Sequence, residues 1–494
     1  MKKIACIFVL LLTFVFSAYA NNLQNTASYT IFLSAENKRL VKIEAEIFPT
    51  GNTLIVCPEG ANHLPEKWAT FMRNVSAKDE NNQAVKIQYS GQGAWQIAEP
   101  LPKKLILSYE VEIKHDLTNW TFGSKEAAYV RDDCVFYTGA SLFITMPELE
   151  NMKVQFKMPD DWKVTVAWQE IAGEKNTFRA ANAEELLWIG MLAGKHLERK
   201  TKVGQLEVVM AIGQDLRQSF AMFDHAVKAI VPAYIKTYGG EPVLQGSPIK
   251  KFVIIANIDK DYVGGGAVFV RTISMMLKDV PLKTNEASTF SWSHIITHEL
   301  GHLWNGQSIR EENQESWFNE GVTDYLAYLL EARVGLISKA ELLKVFAGKF
   351  DEYKPVAGKI SLRKAGNNKA KNYDLIYSGG LIAALALDVE IRKATKNQKG
   401  LADLLQFMYR DFALKDKKYT VEHIKKIAKQ ISNQDFSNFF AGYVEGTEII
   451  LFEKYADSLG LKLAANGNKT VLTKKARATS FERNTLLKIT GFSY

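Results

Sequence analysis

Beyond its first twenty residues the sequence has no apolar run long enough to cross a bilayer, which takes about twenty residues. Cysteine is scarce: Cys6 lies inside the initial apolar run, and only Cys57 and Cys134 follow it. Two isolated thiols exclude a disulfide-rich scaffold and, lacking a close cysteine pair, disfavour a zinc–thiolate site. In an oxidising compartment they form one bridge, or they stay as buried thiols. There is no internal repeat and no low-complexity tract. The net charge of +8 is scattered in short clusters such as Lys415-Asp416-Lys417-Lys418 and Lys474-Lys475-Ala476-Arg477. That pattern describes a solvated surface, and no nucleic-acid module accompanies it.

Lys2 and Lys3 precede the apolar run Ile4 to Phe16, which ends in Ser17-Ala18-Tyr19-Ala20. A basic start, a short apolar stretch and small residues at the cut predict a signal peptide over 1–20, with Asn21 the first mature residue. The expected product is periplasmic or secreted, with no transmembrane segment after cleavage. A length of 494 residues with 47% hydrophobic residues is that of an ordinary globular chain of several domains.

Period-two alternation dominates to about Gly213. Val41-Lys42-Ile43-Glu44-Ala45-Glu46-Ile47, Leu105 to Ile113 and Met152 to Met158 each read as half-buried strands. Clusters such as Pro49-Thr50-Gly51-Asn52 and Pro159-Asp160-Asp161 separate them. An N-terminal antiparallel β-sandwich-like domain over 21–204 is the expectation. Two further strands, Gln205 to Ile212 and Lys251 to Ile258, flank a helical stretch from Leu216 to Tyr238. The pattern is helical from there to about Leu459, with a capping box at Ser338-Lys339-Ala340-Glu341. These shifts predict an α+β multidomain chain: a catalytic domain over 205–345, an α-helical domain over 346–460 and a tail over 461–494 that adds a small β appendage.

The chemistry concentrates in His298-Glu299-Leu300-Gly301-His302. Residues four apart share a helix face, so His298 and His302 can aim at one ion. Glu299 is rotated about 100° from the first histidine, beside the metal, where a general base is needed to take a proton from metal-bound water. A catalytic zinc usually takes three protein ligands. Glu320, at the start of the helix that follows in Trp317-Phe318-Asn319-Glu320-Gly321, supplies a third, and Asp324 one turn on can accept the free ring N–H of a ligand histidine. Glu311, Glu312 and Glu315 are rival carboxylates in a polar linker. His294 is spaced to share the face, but the outer two of three histidines lie roughly 12 Å apart along the axis, too far for one ion. It is read as a core or pocket-wall residue.

His298 to Asn305 followed by Asn319-Glu320-Gly321 resembles the gluzincin metallopeptidases, the clan of aminopeptidase-N and the glycyl aminopeptidases. Tyr328 to Ser338, Leu385 to Arg392, Tyr443 to Glu448 and Met158 to Lys163 resemble the glycyl aminopeptidase family in particular. The likeness runs from about residue 28 to about 460. It implies a thermolysin-like α+β catalytic domain and one Zn2+ held by His298, His302 and Glu320, with Glu299 as base and a peptide or protein as substrate. Tyr377-Ser378-Gly379-Gly380 looks like the family's Tyr-x-Lys-Gly element, which makes Tyr377 the group that stabilises the oxyanion, with Tyr373 as rival.

Three departures matter. The spacer from Leu303 to Asn319 is short for the family. In Gly264-Gly265-Gly266-Ala267-Val268-Phe269, Val268 stands where relatives carry a glutamate that grips the substrate's α-amine. Gly265, Gly266 and Ala267 can still offer backbone groups to an extended peptide. The residues after Leu459 are too few for the PDZ domain common in the family. A zinc-dependent hydrolysis of peptide bonds with altered recognition of the N-terminus is expected, and the alternative is an inactive relative that binds extracytoplasmic peptides or proteins.

Overall fold

The computed structural model describes residues 26–115, 120, 126–259, 265–278 and 291–493. The expected leader at 1–20 and Gly264 lie outside them. The fold is mixed α+β, with an N-terminal β-rich domain, a central domain carrying the site and a C-terminal helical region.

In the first domain the alternating segments become strands of an eight-stranded sheet. Val41, Ile43, Ala45 and Ile47 of Leu40–Ile47 turn inward while Lys42, Glu44 and Glu46 face water, as period two requires. Pairing is antiparallel except that Ala27–Phe32 runs parallel to Glu150–Lys157. Those two strands are far apart in the chain, and the strands between them serve as the long crossover that parallel neighbours need. A four-stranded sheet that includes Cys134–Thr138 and Gly190–Gly194 shares the same apolar core. Cys57 and Cys134 are both buried and free.

The central domain is built on a five-stranded sheet in the order Leu197–Val203, Leu206–Ile212, Lys251–Asp259, Thr272–Lys278, Gly265–Phe269. It begins at Leu197, ahead of the change in pattern at 205. Its inner strands are buried on both faces, which explains the unbroken apolar run Phe252-Val253-Ile254-Ile255-Ala256. Val209, Ala211, Val253, Ile255, Ala267 and Phe269 enter the core of the first domain. Val208, Met210, Ile212, Phe252, Ile254 and Ile273 enter the helical core. The sheet is thus the wall between two cores, and it fixes the position of its edge strand Gly265–Phe269.

Three helices carry the site on the second face. The histidine helix, Trp292–Gly301, is capped by Ser291, whose side chain accepts from His294 N. The carboxylate helix, Thr323–Arg333, continues from a π-helical turn, Trp317–Val322. The tyrosine helix, Gly380–Ala394, continues from a second π-helical turn, Leu375–Gly379. Ser338 caps Lys339–Tyr353 by accepting from Glu341 N. The tail folds as a hairpin, Leu461–Asn466 with Lys469–Lys474, and a helix, Ser480–Thr490. Arg333 donates to the carbonyls of Lys488 and Ile489 at the end of that last helix.

Candidate metal centre

The glycine inside the histidine motif has a packing reason. A Cβ at Gly301 would lie 2.7 Å from the Tyr234 hydroxyl, which donates to the Thr297 carbonyl at 2.9 Å. Only a bare Cα lets that tyrosine brace the helix between the two histidines.

Glu320 is placed by a wide turn and not by a regular helix start. Asn305 Nδ2 donates to the carbonyls of Phe318 and Asn319 at 2.9 and 3.1 Å, and Thr323 Oγ1 donates to Asn319 O at 2.6 Å. Side chains thereby satisfy carbonyls that a π-helical turn leaves without their usual amide partners, and such turns recur at functional sites. The carboxylate helix then crosses the head of the tyrosine helix at a glycine pair: a Cβ on Gly321 would come within 2.4 Å of Gly380 Cα. That contact brings the turn bearing Glu320 against the turn bearing Tyr377.

The result is a compact, buried triangle. His298 Nε2 and His302 Nε2 are 3.0 Å apart, and Glu320 Oε2 lies 3.2 Å from the first and 3.4 Å from the second. Three ligands at about 2.0–2.1 Å from one tetrahedral ion are about 3.3 Å from each other, so this donor set fits zinc in both chemistry and size. The opposite ring nitrogens are both engaged. His298 Nδ1 donates to Asp324 Oδ1 at 3.0 Å and His302 Nδ1 to the Asn305 carbonyl at 2.9 Å. Neither acceptor can donate, so Nδ1 holds its proton in each ring and Nε2 is the nitrogen left to give its lone pair to an entering ion.

Beneath it lies a charged network. The same Asp324 oxygen accepts from His294 Nε2 at 2.9 Å, and His294 Nδ1 faces Glu331 Oε2 at 3.1 Å. With a carboxylate at each ring nitrogen, His294 is an imidazolium stacked 3.8 Å from the Tyr328 ring. Burial opposes that charge, but Asp324 and Glu331 outweigh it and raise the pKa. Lys349 lies 3.7 Å from Asp324 Oδ2 and 3.2 Å from Glu352. Burial works against the Asp324 carboxylate as well, yet Lys349 and His294 hold its pKa below the usual range. At His298 burial is again overcome, by Asp324 and Glu320, and the pKa rises to about 10. A cation entering the triangle must displace that proton.

Glu299, the edge-strand glycines and Tyr377 meet at the same point, while Tyr373 and the rival carboxylates Glu311 and Glu315 do not. Glu299 lies against the edge strand, so that a Cβ on Gly266 would be 2.5 Å from its Cγ and Oε1. Gly265, Gly266 and Ala267 occupy that strand, in register with Met276, Met275 and Ser274. Val268 shares the face of Gly266 and makes it apolar. Gln307 ties the strand to the histidine motif by donating to Phe269 O at 2.8 Å and accepting from Arg271 N at 3.1 Å. The Tyr377 ring sits 5.9 Å from that of His298, whereas Tyr373 stacks outside it at 4.2 Å. Burial first, then Glu320 and its neighbours, push the Tyr377 pKa well up, so its hydroxyl stays a donor. A side chain at Gly379 would meet Leu362, Leu375 and Tyr353 at 3.1 Å, so that position faces packing. Among the rival carboxylates, Glu315 instead pairs with Arg363 at 3.0 Å. Glu311 accepts from Glu315 N at 3.0 Å.

Sequence reading missed three contributors. Asn305 stands in the quoted motif but drew no role, Lys349 belongs to an ordinary amphipathic helix, and Lys369, which bonds Glu320 Oε1, has no flanking pattern at all.

Comparison with known proteins finds matches among peptidases. The family described as the Peptidase M61 N-terminal domain matches residues 28–195, and the family described as M61 glycyl aminopeptidase matches residues 291–376. No curated protein matches the sequence. An aminopeptidase N family protein from Idiomarina loihiensis superimposes with a TM-score of 0.75 over 89% of this chain and 79% of its own, at 15% identity. An M1 zinc metallopeptidase from Deinococcus radiodurans, a mutant bound to a Tyr-Ser-Ala substrate, gives 0.54 over 86% and 94%, at 11% identity. At these identities the likeness is one of fold. Fold, family matches and site together define a metallopeptidase. More particularly, the chain belongs to the M61 glycyl aminopeptidase family.

Proposed function

We propose that the chain is a zinc-dependent peptidase that works at the His298–His302–Glu320 triangle. The observation that carries this reading is the set of 3.0, 3.2 and 3.4 Å separations, which match the edges of a zinc coordination tetrahedron with one corner left open. Zinc held there would supply Lewis acidity to a bound water and to the scissile carbonyl. The remaining work falls to the chain. Glu299, beside the triangle and against Gly266, takes the proton from the attacking water and returns it to the leaving amine. Tyr377 donates its hydroxyl to the negative oxygen that develops at the carbonyl. Asp324 keeps the His298 tautomer. Gly265–Phe269, the last strand of its sheet among the described residues, offers its outer backbone groups to an extended substrate.

Val268 sets the specificity. Its apolar side chain cannot pair with an ammonium, so peptides with free and blocked N-termini are handled alike, which distinguishes this protein from a strict aminopeptidase. The leader-like pattern of residues 1–20 supports a periplasmic or exterior place for this work. A scan of matched free and acetylated peptides tests the reading: comparable kcat/KM for both is expected. Cleavage confined to free N-termini contradicts the role given to Val268. Zinc loading without cleavage of any peptide leaves a binding protein instead.

A further inference from the structure

Glu320 turns its two oxygens in different directions. Oε2 faces the two imidazoles, whereas Oε1 accepts a hydrogen bond from the Lys369 ammonium at 2.5 Å. Lys369 follows the short turn Gly366–Asn368, on the connection that leads to the Tyr377 turn. Its side chain is 46% exposed, against 10% for Glu320, yet the head reaches inward and lies 5.5 Å from the centre of the Tyr377 ring. A lysine with its stem in water and its head in a pocket gives up hydration, which only a strong counter-charge offsets. Burial disfavours the ammonium, but Glu320, with Glu299 and Glu126 behind it, outweighs that and keeps it charged.

We propose that Lys369 is a positioning residue that holds Glu320 Oε1 away from the metal, so that Oε2 alone is offered beside His298 and His302. A carboxylate free to rotate can present both oxygens, and the second would fill the position that a catalytic site keeps open for water and substrate. Lys369 also links Glu320 to the tyrosine, because its head bonds the carboxylate and lies over the face of the ring. The proposal rests on the assignment of the triangle as the metal site.

The test uses the full-length protein loaded with cobalt(II), whose visible absorption weakens as its coordination number rises. Wild type, Lys369→Met, Lys369→Gln and Lys369→Arg are compared, with the thermal midpoint of each metal-free protein as the control for folding. In Lys369→Met and Lys369→Gln the visible bands fall by about half or more, and chelator competition shows metal held about tenfold more tightly, because an oxygen ligand is gained and a neighbouring cation is gone. Lys369→Arg restores the wild-type spectrum. Wild-type spectra and affinity in Lys369→Met overturn the role of Lys369 while leaving the metal site standing. A wild-type protein that takes up no cobalt overturns the site itself, and with it this role.

Discussion

Replacing Gly321 by alanine adds one methyl group at the crossing that brings the turn bearing Glu320 and the turn bearing Tyr377 together. The new Cβ would lie 2.4 Å from both the Cα and the carbonyl carbon of Gly380, and 2.8 Å from Leu381 N. All three atoms are backbone, so no rotamer relieves the clash. Reaching an ordinary contact moves one helix about 1 Å from the other, and overpacking of this kind costs about 1–3 kcal/mol. The larger effect is on chemistry, since a displacement of about 1 Å at a positioned group lowers the rate by about a hundredfold. Gly348 is the matched control. It also lies within a helix, Lys339–Tyr353, but a Cβ there meets nothing within 4 Å, so alanine stabilises the protein by about 0.5–1 kcal/mol. Calorimetric unfolding of the metal-free variants, with peptide hydrolysis by the zinc-loaded ones, separates the two. A Gly321→Ala protein as stable and as active as wild type refutes the claim that this glycine pair sets the site.

Asp324→Asn keeps the shape but removes the charge shared by His298, His294 and Lys349, so zinc affinity measured by chelator competition falls about 10- to 100-fold. Tyr377→Phe retains zinc but loses about a hundredfold or more in kcat, whereas Tyr373→Phe, lying outside it, changes kcat by less than about threefold. Burial first, then Glu315 and Glu320, raise the Glu311 pKa to about 7, above its unfolded value of 4.5. The folded state therefore favours the protonated acid, and stability is lost as pH rises from 4.5 to 7. Metal-free Glu311→Gln should melt above wild type at pH 8, by about 3 kcal/mol at most, with the difference gone by pH 4; equal midpoints at pH 8 contradict this.

The parts of the fold that follow from local rules were readable in the sequence. Leu40–Ile47 alternates because one face meets a core, and Trp292–Gly301 presents His298 and His302 on one side because helical residues four apart must align. Glu320 and Asp324 were named from the same periodicity. The turn that delivers Glu320 was not foreseeable, because a π-helical turn depends on Asn305, which takes two of its carbonyls from outside the segment. Lys369 was invisible for a related reason: nothing in its neighbourhood distinguishes a lysine that reaches Glu320 from one that reaches water. Gly321 and Gly380 looked like ordinary glycines, and only their crossing gives them a purpose.

The central claim, that Glu299 is the base at a zinc site formed by His298, His302 and Glu320, is tested most directly by Glu299→Gln. The amide keeps the shape against Gly266 but cannot take a proton. The account predicts one zinc per chain, as in wild type, with peptide hydrolysis reduced by about a thousandfold or more. Hydrolysis at the wild-type rate by that zinc-loaded variant contradicts it.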